Sequence, residues 1–333
     1  MAQPLRIALF FAGVALFAFL CVHIGLRDLF AAAERANPAR LLLFLALSAA
    51  TFFTYAKRWS VVLEAMGSRR PPFSLRKLLC FRAAGHAVST LLPAAQLSGE
   101  PVRALLLRRH GLDWARSVST VTMDRLLEAS ASAVVGPAYL AAFVLANGGG
   151  VAATPWVIGG MAVGLVLLAL FYVHLYRGAT LISWLARRGV LPSLQGSLES
   201  LEADLRAFVR TPSFAAGFVA ALLAEALVLA ELWALASAFE LPISLPTLAG
   251  VTVGMGVAQL LPIPAALGSL EATEVGVVSL AGGAAPLGLA VGLLVRLRET
   301  LWILVGLVTL YVEGVISTCL PHPENPSAIV PKG

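Results

Sequence analysis

Apolar runs at 5–22, 39–56, 155–176, 213–238 and 286–313, with a more polar one at 115–146, are each long enough to cross a hydrocarbon layer about 30 Å thick. Six such segments in one chain confine it to a bilayer. The composition agrees: 59% of the 333 residues are hydrophobic and 13% charged, where a soluble domain carries about 25% charged residues. Spanning backbone must satisfy its own hydrogen bonds, and closed barrels read as short alternating strands, so the expected class is an all-α polytopic membrane protein. Residues 1–320 read as a single transmembrane domain, and the Pro-rich tail 321–333 as disordered.

Two segments break this pattern. At 74–110 the chain reads LLPAAQLSGEPVR, Leu91 to Arg103, and at 246–284 it reads PAALGSLE, Pro264 to Glu271. Pro93-Ala94-Ala95-Gln96-Leu97-Ser98-Gly99-Glu100 matches Pro264-Ala265-Ala266-Leu267-Gly268-Ser269-Leu270-Glu271 at five of eight positions with an offset of 171, which also carries Arg125 onto Arg296 and Glu128 onto Glu299. Two repeats follow, at about 39–146 and 213–313, each a span, a broken segment and a second span. Three crossings separate the broken segments, and an odd number inverts the second copy, the arrangement in which secondary transporters build a site at the bilayer midplane. The expectation is six full spans plus two re-entrant hairpins broken at Pro93, Gly99, Pro262, Pro264 and Gly268; if each broken segment is instead two short spans, the count rises toward ten. Ser98-Gly99-Glu100 reads as the start of a short helix running through Pro101, and Gly268-Ser269 as another with Glu271 in its first turn.

Charges at membrane depth cost at least about 2.5 kcal/mol each on insertion scales, so they face the interior, pair, or line a path. The candidates for contact with a substrate headgroup are Arg125, Arg296, Glu100, Glu271, Glu128, Glu299, Gln96 and Arg103, with the arginines as partners for phosphate oxygens. A second set at depth or beside the breaks comprises Asp124, Arg298, Glu225, Glu231, Glu274, His86 and Gln259. In a packing-only reading, Arg125 pairs with Glu128 on its own helix and Arg296 with Glu299 or Glu100.

The formal charge of +6 does not point to nucleic acid. Basic residues cluster at Lys57, Arg58, Arg69, Arg70, Arg76, Lys77 and Arg82, at Arg103, Arg108, Arg109 and Arg116, and at Arg177, Arg187, Arg188, Arg206 and Arg210. Alternation of the spans places all of these on one side with Arg6, which the positive-inside rule makes cytoplasmic, together with both termini. Residues 177–212 form a cytoplasmic linker in which Leu194, Leu198, Leu201, Leu205 and Phe208 share one face of an amphipathic helix. Cys21, Cys80 and Cys319 lie far apart, and no metal-binding, nucleotide-binding or nucleophile motif occurs, so neither metal nor cofactor is called for.

The elements LLPAAQLSGEPVRALLLRRHG, MDRLLE, LLPIPAALGSLEATEVGV and RLRET, in that order, resemble the flippase-like integral membrane family. That family includes the transmembrane domain of bacterial lysyl-phosphatidylglycerol synthases and a membrane protein associated with hopanoid biosynthesis. The resemblance covers about residues 5–315 and implies a bacterial inner-membrane flippase that moves a phospholipid, isoprenoid or hopanoid lipid with a polar or anionic headgroup. It maps the family's polar positions onto Pro93, Gly99, Glu100 and Arg103, then Arg125 and Glu128, then Pro262, Gly268 and Glu271, then Arg296. Ala265 and Ala266 stand where the family usually has a Gly-Gly pair, which implies a stiffer second hairpin. The chain ends soon after its last span, so the aminoacyl-transferase domain of the synthases is not expected. A membrane-embedded enzyme acting on lipid headgroups and a structural partner of a lipid-synthesis complex are the alternatives; homo-oligomerisation is open.

Overall fold

The structure, a computed structural model, describes residues 36–67, 73–92, 98–148, 154–177, 195–261 and 263–315. The expected span at 5–22, the breaks at Pro93 and Pro262, Gln96 and the tail 321–333 lie outside these residues.

Ten α-helices make up the described chain: α1 Pro38–Ala65, α2 Leu75–Leu91, α3 Gly99–Arg109, α4 Trp114–Ala146, α5 Thr154–Arg177, α6 Gln195–Val209, α7 Pro212–Ala238, α8 Leu245–Leu260, α9 Ser269–Leu280 and α10 Ala285–Val312. A 3-10 turn at Pro264–Ala266 precedes α9. Three of them, α1, α4 and α7, are long enough and contain an apolar stretch long enough to cross a membrane. The starts are written in the sequence. Asn37 accepts from the amides of Ala39 and Arg40 ahead of Pro38, Asp113 caps α4 through Ala115 and Arg116, and Ser244 caps α8 through Thr247.

The broken segments fold as antiparallel helix pairs. Gly99 N–H donates to Ser89 Oγ at 2.9 Å, Ser98 Oγ donates to Val88 O at 3.1 Å, and the rings of Phe81 and His110 lie 5.2 Å apart, so α2 and α3 run side by side and are closed at the 92–98 end. The crossing is tight enough that a Cβ at Gly99 would run into the Gly85 carbonyl. In the second pair, Gly254 of α8 abuts Thr273 and Val277 of α9. At about 1.5 Å per residue, helices of 17, 11, 16 and 12 residues measure roughly 25, 16, 24 and 18 Å, each short of the bilayer core.

Equivalent elements of the two halves start at a nearly constant interval: Leu75 and Leu245, Gly99 and Ser269, Trp114 and Ala285. Their packing is reciprocal as well. Helix α2 lies against α10, α8 against α4, and α1 against α7. The last pair is antiparallel, with Asn37 N–H on Ala238 O at 2.7 Å, Arg40 Nη1 on Ser237 O at 2.7 Å, and the Thr51 hydroxyl on Glu231.

Three apolar clusters fill the interior. One joins α2, α3 and the end of α1 around Trp59, Phe81 and Leu106; one joins α7 to α10 around Leu235, Met255 and Leu270. The third packs Leu205 and Phe208 of α6 under α4 and α7, so the amphipathic helix of the linker buries its apolar face against protein.

Candidate functional site: a charged cavity at membrane depth

The wall of the site is assembled from α1, α2, α3 and α4. Asp124, 0% exposed, sits one residue before Arg125 on α4 and receives Arg58 Nε at 2.7 Å, Arg82 Nη1 at 3.0 Å and Arg103 Nη2 at 2.6 Å. Glu128, one turn on, takes Arg58 Nη2 at 2.7 Å, Arg82 Nη2 at 2.6 Å and Arg125 Nη1 at 2.7 Å. Aromatic faces complete the enclosure: the Arg103 guanidinium lies 4.1 Å from the Trp59 ring centre and that of Arg82 4.6 Å from Tyr55. Removing so much charge from water is tolerable because each guanidinium fork meets carboxylate oxygens directly.

Arg58 and Arg82 are absent from the sequence-based candidates, and their expected place in a cytoplasmic basic cluster is corrected here. Both point inward, Arg58 at 1% exposure. Helix α1 runs on to Ala65, beyond the apolar run that ends at 56, and carries Arg58 on the same face as Thr51 and Val62. That seven- and four-residue spacing was the available signal.

Arg125 is the accessible member, with 32% of its side chain exposed and a longer 3.5 Å contact to Glu100. It borders a cavity of about 590 Å³ lined by all the major elements except α5, α6 and α9. Four arginines, Arg82, Arg103, Arg125 and Arg298, face four glutamates there, Glu100, Glu128, Glu225 and Glu299, along with His86, Gln259, Tyr55 and Tyr139. Ala129, Ser132 and Ala133 of α4 and Gly256 and Val257 of α8 line it while remaining exposed, so it opens between those helices. The volume lies within the roughly 300–1,000 Å³ typical of ligand sites.

The second half is organised differently. Arg296 Nε meets Glu271 at 2.6 Å, and its Nη groups donate to the carbonyls of Ala265 and Ala266. Glu271 also accepts the Gly268 N–H at 2.9 Å, closing the first turn of α9. The expected pairing of Arg296 with Glu299 or Glu100 does not occur: Glu299 instead meets His86 at 2.7 Å and Arg298 at 3.3 Å, and Arg298 meets Glu231 at 2.7 Å. The cause lies in the turn before α9. Ala265 and Ala266 have φ of 55° and 46°, the left-handed region, and their carbonyls there take up the guanidinium. Arg296 consequently borders a cleft of about 20 Å³ between the hairpin tips, with Ser89, Thr90, Gln259 and Glu299, and Glu271 is fully buried behind it. Glu225 takes the Ser132 hydroxyl at the cavity wall, and Glu274 is fully buried beneath α10.

The chain has relatives among known proteins. The profile of the Lysylphosphatidylglycerol synthase TM region family matches residues 5–307. The chain belongs to that family. A UPF0104 membrane protein of Methanothermobacter thermautotrophicus is 29% identical over 117 residues, 35% of this chain and 34% of the relative, so the alignment spans about a third of either protein. As a member of the lysylphosphatidylglycerol synthase TM region family, this is a membrane protein. Among the described residues no group of His, Cys, Asp or Glu is placed to hold a metal ion.

Proposed function

We propose that the protein is a flippase that passes a polar lipid headgroup through the charged cavity while the tails stay in the hydrocarbon. The observation that carries this reading is the 590 Å³ cavity, which holds four arginines and four glutamates at mid-helix depth and opens between α4 and α8. A purely structural ion-pair cluster gains nothing from such an opening. Arg125 is the first contact for a phosphate or other anionic group, because it is the most accessible guanidinium and its hold on Glu100 is long. Glu100, Glu128 and Glu299 orient the guanidinium groups, and Arg58, Asp124 and Arg103 form the rigid clamp behind them. Balanced charge on the wall suits a headgroup that carries both signs or many hydroxyls as well as an anionic one.

The two halves act as inverted repeats with re-entrant hairpins. This is supported by the matched helix starts, by the antiparallel seam between α1 and α7, and by hairpin helices too short to cross alone. The hairpin tips meet at the small cleft around Arg296, which supports reading that point as the barrier. Basic clusters at Arg69, Arg70, Arg76 and Lys77 and at Arg108, Arg109 and Arg116 favour a cytoplasmic location for that side, in a bacterial inner membrane.

Reconstitution into vesicles tests the reading. Fluorescent phosphatidylglycerol, phosphatidylethanolamine and phosphatidylcholine are incorporated separately, and the fraction reachable by an impermeant quencher is followed. Accelerated exchange for at least one headgroup, abolished by Arg125→Ala, is expected; exchange no faster than in protein-free vesicles for all of them overturns it.

A further inference from the structure

We propose that Glu274 is a proton-binding site that couples lipid movement to a proton gradient through Arg296, an inference that rests on the flippase reading. Glu274 is 0% exposed, and among the described residues neither carboxylate oxygen has a hydrogen-bond partner. An ionised carboxylate in that state is prohibitively costly, so the group is held as the neutral acid. Helix α9 packs against α8 and α10. Helix α8 carries no ionisable side chain, the charge acting from α10 is Arg296, and the one from α9 itself is Glu271. Gly292 of α10 faces its carboxylate, so a side chain there would require the Glu274 carboxyl to move.

The comparison between halves shows that this is no packing remnant. The position 171 residues earlier is Arg103, which is bonded to Asp124; the counterpart of Asp124 is Val295. Arg103 and Asp124, bonded to each other in the first half, are replaced by Glu274 and Val295 in the second, so the carboxyl group stands there without the equivalent partner. An apolar residue would fill the space at less cost.

Arg296 supplies the link. With Glu274 neutral, the single guanidinium balances Glu271 and spends its remaining donors on the carbonyls of Ala265 and Ala266. Glu274 lines neither cavity itself, so its proton passes to water by way of the cleft that Arg296 borders, and its loss leaves two carboxylates around one guanidinium. Arg296 then turns toward Glu274 and gives up the tip carbonyls. Ala265 and Ala266, already in the left-handed region, lose the donors that hold them there, and the second hairpin tip is released. The first hairpin has no equivalent release, since Arg82 and Arg103 bolt it to Asp124 and Glu128.

Three measurements on the full chain test this. Infrared spectroscopy of the protein in detergent should show a protonated-carboxyl band at neutral pH that is missing in Glu274→Gln; an unchanged spectrum overturns the proton site, whether or not any lipid moves. Hydrogen exchange across 263–270, compared at matched intrinsic rates, should rise with pH in the wild type and stay low in Glu274→Gln; the same rise in both overturns the link to Arg296. In vesicles carrying fluorescent phosphatidylglycerol, an imposed gradient of one pH unit should shift its leaflet distribution by up to about tenfold for one proton per lipid. Glu274→Gln should abolish that shift. A shift that survives the substitution overturns the coupling, whereas a wild type that moves no lipid of any headgroup while the first two results hold refutes the flippase reading and leaves the proton site standing.

Discussion

His86 Nε2 lies 2.7 Å from a carboxylate oxygen of Glu299, joining the middle of α2 to the middle of α10 across 213 residues of sequence. Both side chains also line the cavity, so one contact ties the first hairpin to the last helix at the depth where the charges gather. The seam around it is close-packed: Gly306 of α10 lies against the Ala83 carbonyl and the Ala87 side chain, and Phe52 stacks on Trp302 at 3.6 Å. A double-mutant cycle of His86→Ala and Glu299→Gln, read by thermal unfolding in detergent, should give a coupling of about 0.5–3 kcal/mol, as expected for residues in one network. Additive effects would mean the contact carries no energy.

Arg125 and Arg58 should separate function from stability. Arg125→Ala removes an accessible group and should leave the melting temperature close to that of the wild type while lipid exchange is lost. Arg58→Ala leaves Asp124 and Glu128 short of a buried partner, and breaking a buried pair costs about 3–5 kcal/mol, so the folded protein itself should be depleted. Size-exclusion profiles and melting curves for the two variants check the contrast; equal loss of folded protein would contradict the distinction.

Gly99→Ala places a methyl group where the Gly85 carbonyl already sits. Overpacking of this kind costs about 1–3 kcal/mol, and the expected outcome is a lower melting temperature with faster hydrogen exchange at the α2–α3 contact. Unchanged exchange there would show that the pair can move apart freely.

Ala265→Gly combined with Ala266→Gly should stabilise the second tip. A left-handed backbone costs an L-residue about 1–2 kcal/mol that glycine does not incur, partly offset by the greater freedom of glycine in the unfolded chain. A rise in melting temperature is expected for the double variant, and Ala266→Val, β-branched at the same position, should lower it. A fall in both would show that the tip relaxes without strain.

Much of this architecture is legible before folding. Apolar runs at 39–56, 115–146, 155–176, 213–238 and 286–313 fall, to within one residue, inside helices that each begin one residue before them, because the requirement to span hydrocarbon leaves composition little latitude. The starts of α3 and α9 follow from Gly99-Glu100 and Gly268-Ser269 for equally local reasons. Partner choice was not legible. Arg58 follows Lys57 at the end of an apolar run and reads as a loop charge until α1 is seen to continue past it. Arg296 leaves its own-helix neighbour Glu299 for two carbonyls whose availability depends on the turn at Ala265 and Ala266, a feature of backbone conformation that no residue type announces. The alanines in place of the glycines usual in the family gave the one hint, since they occupy a conformation that glycine adopts without penalty.

The antiparallel seam of α1 and α7 has a consequence for ancestry. A half-length polypeptide would leave the inner face of α1 bare, and the surface that fits that face is its own equivalent inserted the opposite way up. Such a chain would pair with an identical molecule inserted the opposite way up, through the same face of each, and fusing two copies of its gene would make that opposed orientation permanent and free each copy to diverge. The exchange of Arg103 in one half for Glu274 in the other is the kind of specialisation such a fusion permits.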